Sequence, residues 1–192
     1  MKAYFTAAIF ILLTFTVFSQ NRLSVGGGYD VAVPVGDLAD LAKTGSNWSL
    51  FVEYPLNEKI SLQLLSGYLT MPVDIKPIAV NGKVTTFDLK SIPVKGAVKY
   101  FFYDQLFAVA EIGVNLLKVS AEFQGAYGEP TTESTGYQTK FCAGLGCGTV
   151  FHLSEQSLIN LTGKYMYVDG GDLRLNFNHF LIGAGLVVHF DL

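Results

Sequence analysis

Eight ionisable residues recur on a single parity within segments that alternate large apolar with small or polar residues: Asp30, Glu53, Lys95, Lys99, Glu111, Lys140, Lys164 and His189. Gln63, Asn115, Asn160 and Thr162 fall on the same parity. Acids and bases gathered on one face either pair with one another or line a wet path for ions. Charges withdrawn from water persist only when paired and hydrogen-bonded, so the pattern predicts a structural salt-bridge network, with an ion path as the functional alternative. Lys95 and Lys99 stand one hairpin from Glu111 and are its expected partners. A second arrangement, His152-Leu153-Ser154-Glu155, has the residue types for base-assisted nucleophilic attack on an ester. It falls in a short turn, where a polar turn is the expected role, and no catalytic residue is assigned.

The elements that hold these residues are strands. Period-two alternation sends successive side chains to opposite faces. The last copy is the clearest: Phe180, Ile182, Ala184, Leu186, Val188 and Phe190 share one parity, Gly183, Gly185, Val187 and His189 the other. Strands are expected over about 22–33, 47–54, 59–70, 89–102, 106–119, 137–151, 157–168 and 177–191. One helical turn is expected within 37–43. Connections alternate in length. Pro55–Glu58, Tyr103–Gln105 and Leu153–Gln156 read as tight turns, whereas 34–46, 71–88, 120–136 and 169–176 are long. That rhythm predicts an all-β, eight-stranded antiparallel up-and-down transmembrane β-barrel, with both termini at the short-turn end.

Composition supports a barrel facing lipid. Charged residues make up 15% of the chain, against about 25% in a typical soluble domain. Aromatics flank the apolar band at both ends: Tyr29, Trp48, Tyr68, Tyr137 and Tyr167 toward the long segments, and Tyr54, Tyr100, Phe102, Phe151 and Phe190 toward the short turns. Paired girdles suit two water–lipid interfaces. Glycines, among them Gly26, Gly113, Gly146 and Gly183, crowd the opposite parity, as a narrow lumen requires. A soluble lipocalin-like barrel would turn the same alternation inside out around a ligand and would need a charged exterior.

Lys2 followed by the apolar run Ala3–Phe18 reads as a secretory leader, residues 1–19, cleaved after Ser19. Residues 20–192 then form one domain. Without Lys2 the balance is 12 basic against 16 acidic residues, a net charge of −4, which argues against nucleic acid as a partner. Cys142 and Cys147 lie five apart in one strand, about 16 Å, on opposite faces. A disulfide needs Cα atoms within about 7 Å, so they do not pair. No metal or cofactor is expected from the ligand spacings.

Val33-Pro34-Val35-Gly36-Asp37-Leu38, Ser91-Ile92-Pro93-Val94-Lys95, Ala110-Glu111-Ile112-Gly113-Val114 and Gly144-Leu145-Gly146-Cys147-Gly148 resemble segments of the small outer-membrane β-barrels of Gram-negative bacteria, the OmpX-like and OmpA-like barrel domains. The resemblance covers the whole mature chain and implies an outer-membrane location, contact with lipid, and delivery by the barrel-assembly machinery. That machinery reads a C-terminal aromatic; here Phe190 is followed by Asp191-Leu192. The role implied is structural or surface-interacting, with a protein or surface polymer met by the outer segments. Glu122, Tyr127, Glu129 and Glu133 are the expected contact residues. A porin-like channel is the alternative. The His152-x-Ser154 spacing resembles that of outer-membrane lipid A deacylases, the least favoured reading.

Overall fold

The computed structural model describes residues 22–73, 83–124, 130–134, 136–170 and 176–191. The expected leader lies outside them. Nine strands follow in chain order: β1 (Arg22–Pro34), β2 (Gly45–Pro55), β3 (Ile60–Val73), β4 (Lys83–Phe101), β5 (Leu106–Gln124), β6 (Pro130–Ser134), β7 (Gln138–His152), β8 (Ser157–Val168) and β9 (His179–Asp191). All pairings are antiparallel, in the order β4-β3-β2-β1-β9-β8-β7-β5, and β4 pairing with β5 closes the ring. Eight strands therefore form a closed up-and-down barrel. Closure leaves no free edge along the wall. Arg22 pairs with Asp191, so the first and last strands meet at the turn end.

Each turn is built by local chemistry. The Asn57 side-chain oxygen accepts hydrogen bonds from the Lys59 and Ile60 amides at 2.9 and 2.8 Å, an Asx-type turn that fixes the β2–β3 register. Leu153 donates to the Ser157 carbonyl at 2.9 Å, and Phe102 to that of Leu106 at 3.1 Å. The segment between β1 and β2 turns at Gly36, whose φ of +61° suits a residue without Cβ, and enters a 3-10 turn over Gly36–Leu38. The expected helical turn within 37–43 is thus shorter and earlier.

Two connections expected to be long loops are strand at most of their described residues. β4 and β5 each run 19 residues, well beyond the 9–11 or so that cross a bilayer, and their ladder continues to Lys83↔Gln124. β6 adds to the far edge of β5, pairing Ser120 with Ser134 and Gln124 with Pro130. The β5 ladder resumes at Leu117↔Gln138. Four residues of the β6–β7 stretch thus span three of β5, a one-residue irregularity like a bulge. The outcome is a three-stranded projection above the barrel's loop end.

The faces segregate as the parity predicts. Outward positions are apolar and exposed, with Leu50 at 71%, Leu145 at 70% and Ile112 at 60%. Inward positions hold the charges, the glycines and two apolar clusters. Glycine makes room there: a Cβ on Gly113 would strike Lys95, on Gly146 Lys164, and on Gly26 the Phe51 ring. A lipocalin-like arrangement, apolar inside and charged outside, is the reverse of what is observed.

Candidate functional site: the polar lumen

The lumen is stacked in layers. At the loop end Ala32, Leu69, Met71, Leu89, Leu117, Met166 and Leu181 form an apolar plug. Leu38 and Ala42 complete it from the segment between β1 and β2. Ala42 bridges to Val73, and Lys43 donates its amide to the Pro72 carbonyl at 2.7 Å, which ties that segment across the mouth. The expected surface loop over 34–46 is therefore partly a stopper. At the turn end Leu65, Ala97, Phe107, Val109, Val150, Leu158 and Val187 form a second cluster.

Between the two clusters lies the charged layer. Glu111 on β5 receives two ammonium groups, Lys95 from β4 on one oxygen and Lys164 from β8 on the other, the latter at 3.0 Å. Glu111 is 4% exposed, so neither lysine shares it with bulk water. Lys99 does not join this group as expected. It pairs with Glu53 on β2 at 3.3 Å, and Glu53 also accepts from Ser61 and Gln63, each at 2.6 Å. The physical reason is saturation and reach. Both Glu111 oxygens are occupied, while Lys99 stands opposite Ser61 on β3, two residues from the Gln63 that faces Glu53. Lys99 also lies over the Phe107 and Phe101 rings, 4.3 and 4.8 Å from their centroids, a cation–π seat. Asn47 donates to Asp30 at 2.7 Å. Two acids and three lysines are thus ion-paired within the barrel, and a third acid, Asp30, is held by Asn47.

His189 lies on the inward face at the turn end, its Nδ1 2.6 Å from the Ser24 hydroxyl, apart from the lysine network. Asn115 is inward and buried, but its side-chain oxygen has no protein partner. Lys140, inward and half-buried at the loop end of β7, makes no ion pair with a described residue. The expected Lys95–Glu111 pair across the β4–β5 hairpin is present, and the eight ionisable residues lie on the inward face; the Lys99–Glu53 and Lys164–Glu111 pairs span β4 to β2 and β8 to β5, beyond what one hairpin shows. The space left for water inside the charged layer is about 50 Å³, room for a few waters at the ~10–15 Å³ of such space each needs. A vestibule of about 610 Å³ opens at the turn end, walled by Ser24, Glu53, Lys99, His152 and His189.

The other candidates resolve simply. His152 is exposed, and the Ser154 hydroxyl is engaged by Ser157 at 2.7 Å. Glu122 and Glu133 belong to the β5–β6 ladder rather than to a loop, whereas Tyr127 and Glu129 lie outside the described residues. Cys142 is buried inside and Cys147 exposed outside, both free thiols. The aromatic girdles are present: Trp48 pairs with Tyr29 on one side and Tyr68 on the other, and its ring meets Tyr29 edge-on at 4.8 Å.

No protein-family model and no curated protein matches the chain in sequence. Solved structures do match. Ail, the attachment invasion locus protein of Yersinia pestis, is 16% identical, with 88% of this chain and 99% of that one covered and a TM-score of 0.56. The outer membrane protein OprG of Pseudomonas aeruginosa is 15% identical, with 91% and 98% covered and a TM-score of 0.55. Neisserial surface protein A is 15% identical, with 88% and 96% covered and a TM-score of 0.51. By its fold, the chain is a small eight-stranded barrel of the outer-membrane type. The OmpX-like and OmpA-like resemblance carried by the sequence segments is one of architecture. The barrel spans nearly the full length of each of these structures.

Proposed function

We propose that the protein is an integral outer-membrane barrel with a non-conducting, side-chain-filled lumen, and that it acts through its loop-end strands and segments as a structural or surface-contact protein. The observation that carries this reading is the apolar outer wall between two aromatic rows. Burying such a wall in lipid contributes roughly 25 cal/mol per Å² of apolar surface, whereas leaving it in water forfeits that term. Fold similarity to outer-membrane barrels supports the same placement. Export through the leader, reading of Phe190 by the assembly machinery, and a Gram-negative source belong to this proposal.

The contact surface is best sought on the β4–β5–β6 projection. β6 pairs with β5 alone among the described strands, which leaves its second edge open to an added strand. Across the four loop-end segments, 34–46, 71–88, 120–136 and 169–176, nine acidic residues stand against four basic ones. Ail has been crystallised with the heparin analogue sucrose octasulfate. The acidic balance here disfavours a sulfated polymer and favours a neutral or basic protein partner. Separation of boiled from unboiled protein on a cold detergent gel, with flotation on vesicles, tests the membrane placement. A protein recovered soluble, with identical mobility before and after boiling, would overturn it.

A further inference from the structure

The outer wall is not uniformly convex. Where β9, β1, β2 and β3 meet, it dips into an open groove of about 900 Å³. The floor is made by outward positions that carry little or no side chain, Gly27, Ser66 and Ala184. Register explains the dip: Gly27 stands between Leu50 on β2 and Leu186 on β9, so two projecting leucines wall a position with no Cβ. The loop end of the groove is bounded by the row Tyr29, Trp48 and Tyr68, whose hydroxyl and indole groups can donate hydrogen bonds at the level where lipid headgroups begin.

We propose that this groove is a binding site for an acyl chain of a membrane lipid in the leaflet nearer the loop end, with its ester region against the aromatic row. The proposal rests on the membrane placement argued above. The size favours a lipid chain over a second copy of the protein. The volume lies within the roughly 300–1,000 Å³ of small-ligand sites. Its 13 lining residues fall short of the 20–30 or so that each side of a stable protein interface contributes. Chemistry points the same way, because the lining side chains carry no charge and an alkyl chain leaves no polar atom unpaired there.

Trp48, the only tryptophan in the chain, lines the groove and reports on it directly. The full mature protein is reconstituted into vesicles of dioleoyl phosphatidylcholine in which a rising fraction carries dibrominated chains, which quench tryptophan on contact. Deep quenching of Trp48 is expected in the unaltered protein, following the curve of one quenching site. Gly27→Leu and Ala184→Leu each fill the floor and should lower the limiting quenching about twofold, since close-packed space admits one occupant. A Cβ at Gly27 meets the movable end of Leu50 at 3.1 Å and lies at ordinary contact distance, 3.4 Å, from the Ser49 carbonyl oxygen. Gly96→Leu adds the same bulk to an outward glycine with open space around it and should leave quenching unchanged. The boiled–unboiled gel shift verifies folding of each variant, and Ala184→Leu carries the test if Gly27→Leu does not fold. Equal quenching in all the proteins overturns the groove site while leaving the membrane reading intact. Weak quenching in the unaltered protein, together with a cross-linked dimer, overturns it in favour of a second copy. Failure to float with the vesicles overturns the membrane reading itself, and the site with it.

Discussion

The two mouths of the barrel are closed by different means. The loop end is stoppered by hydrocarbon, with Leu38 and Ala42 folded in above Met71, Leu89 and Met166. The turn end stays open as a vestibule that reaches the Glu53–Lys99 pair and the Ser24–His189 contact. The charged layer between them is therefore sealed on one side and approached by water on the other. This difference divides five apparently similar paired charges into two kinds. The Glu111 side chain, 2% exposed, sits deep between Lys95 and Lys164. The Glu53 side chain, 11% exposed, borders the vestibule, and Ser61, Gln63 and two phenyl rings further hold its pair with Lys99.

Removing one partner of a deeply buried pair strands the other charge. Glu111→Ala leaves both Lys95 and Lys164 without an anion and is expected to cost about 3–5 kcal/mol, enough to abolish the folded gel band in mild urea. Glu53→Ala should cost less, about 1–3 kcal/mol, because it strands one ammonium rather than two and the cavity it leaves opens onto the vestibule. Equal losses in urea titrations of the two variants would erase the distinction between the layers.

Asn47→Ala removes the 2.7 Å donor to Asp30 and should cost about 1–3 kcal/mol by the same measurement, with the barrel still formed. Leu38→Asp acts on the stopper rather than on the wall. It should expel the segment between β1 and β2 and expose Cys142 to a water-soluble maleimide added from the loop side, in a Cys147→Ser background. A tenfold faster reaction corresponds to an opening made easier by about 1.4 kcal/mol. An unchanged rate would mean that Leu38 does not seal the mouth. The smallest effect belongs to the turn end, where Ser154 and Ser157 are paired but exposed. Ser154→Ala should change stability by no more than about 0.5 kcal/mol.

The barrel wall was legible because strand alternation has a period of two and each residue's face follows from its parity. Phe180 to Phe190 lie as that rule requires, and β8 begins and ends where the pattern places it. The charges were legible as a face, and Lys95–Glu111 as a pair within one hairpin, but the longer-range partners were not. Lys99 meets Glu53 only through the accumulated register of β2, β3 and β4, a quantity that no single hairpin reveals. The stopper was hidden for another reason. Asp37, Asp40 and Lys43 make that segment read as a solvated loop, while its apolar contribution rests on Leu38 and Ala42, spaced four apart in too short a stretch to give a helical signal. The projection of β4, β5 and β6 was missed because polar strands beyond the apolar band lack the alternation that marked the others.

The claim that the lumen is a packed core rather than a passage is tested most directly by single-channel recording. Purified, heat-shiftable protein is inserted into planar bilayers at high salt, alone and as Leu38→Asp. The unaltered barrel should give no discrete conductance steps, since the charged layer leaves room for only a few waters and the loop end is stoppered by hydrocarbon. Reproducible steps in the unaltered protein that vanish in Glu53→Ala or Lys99→Met would contradict the account and make the same residues the lining of an ion path.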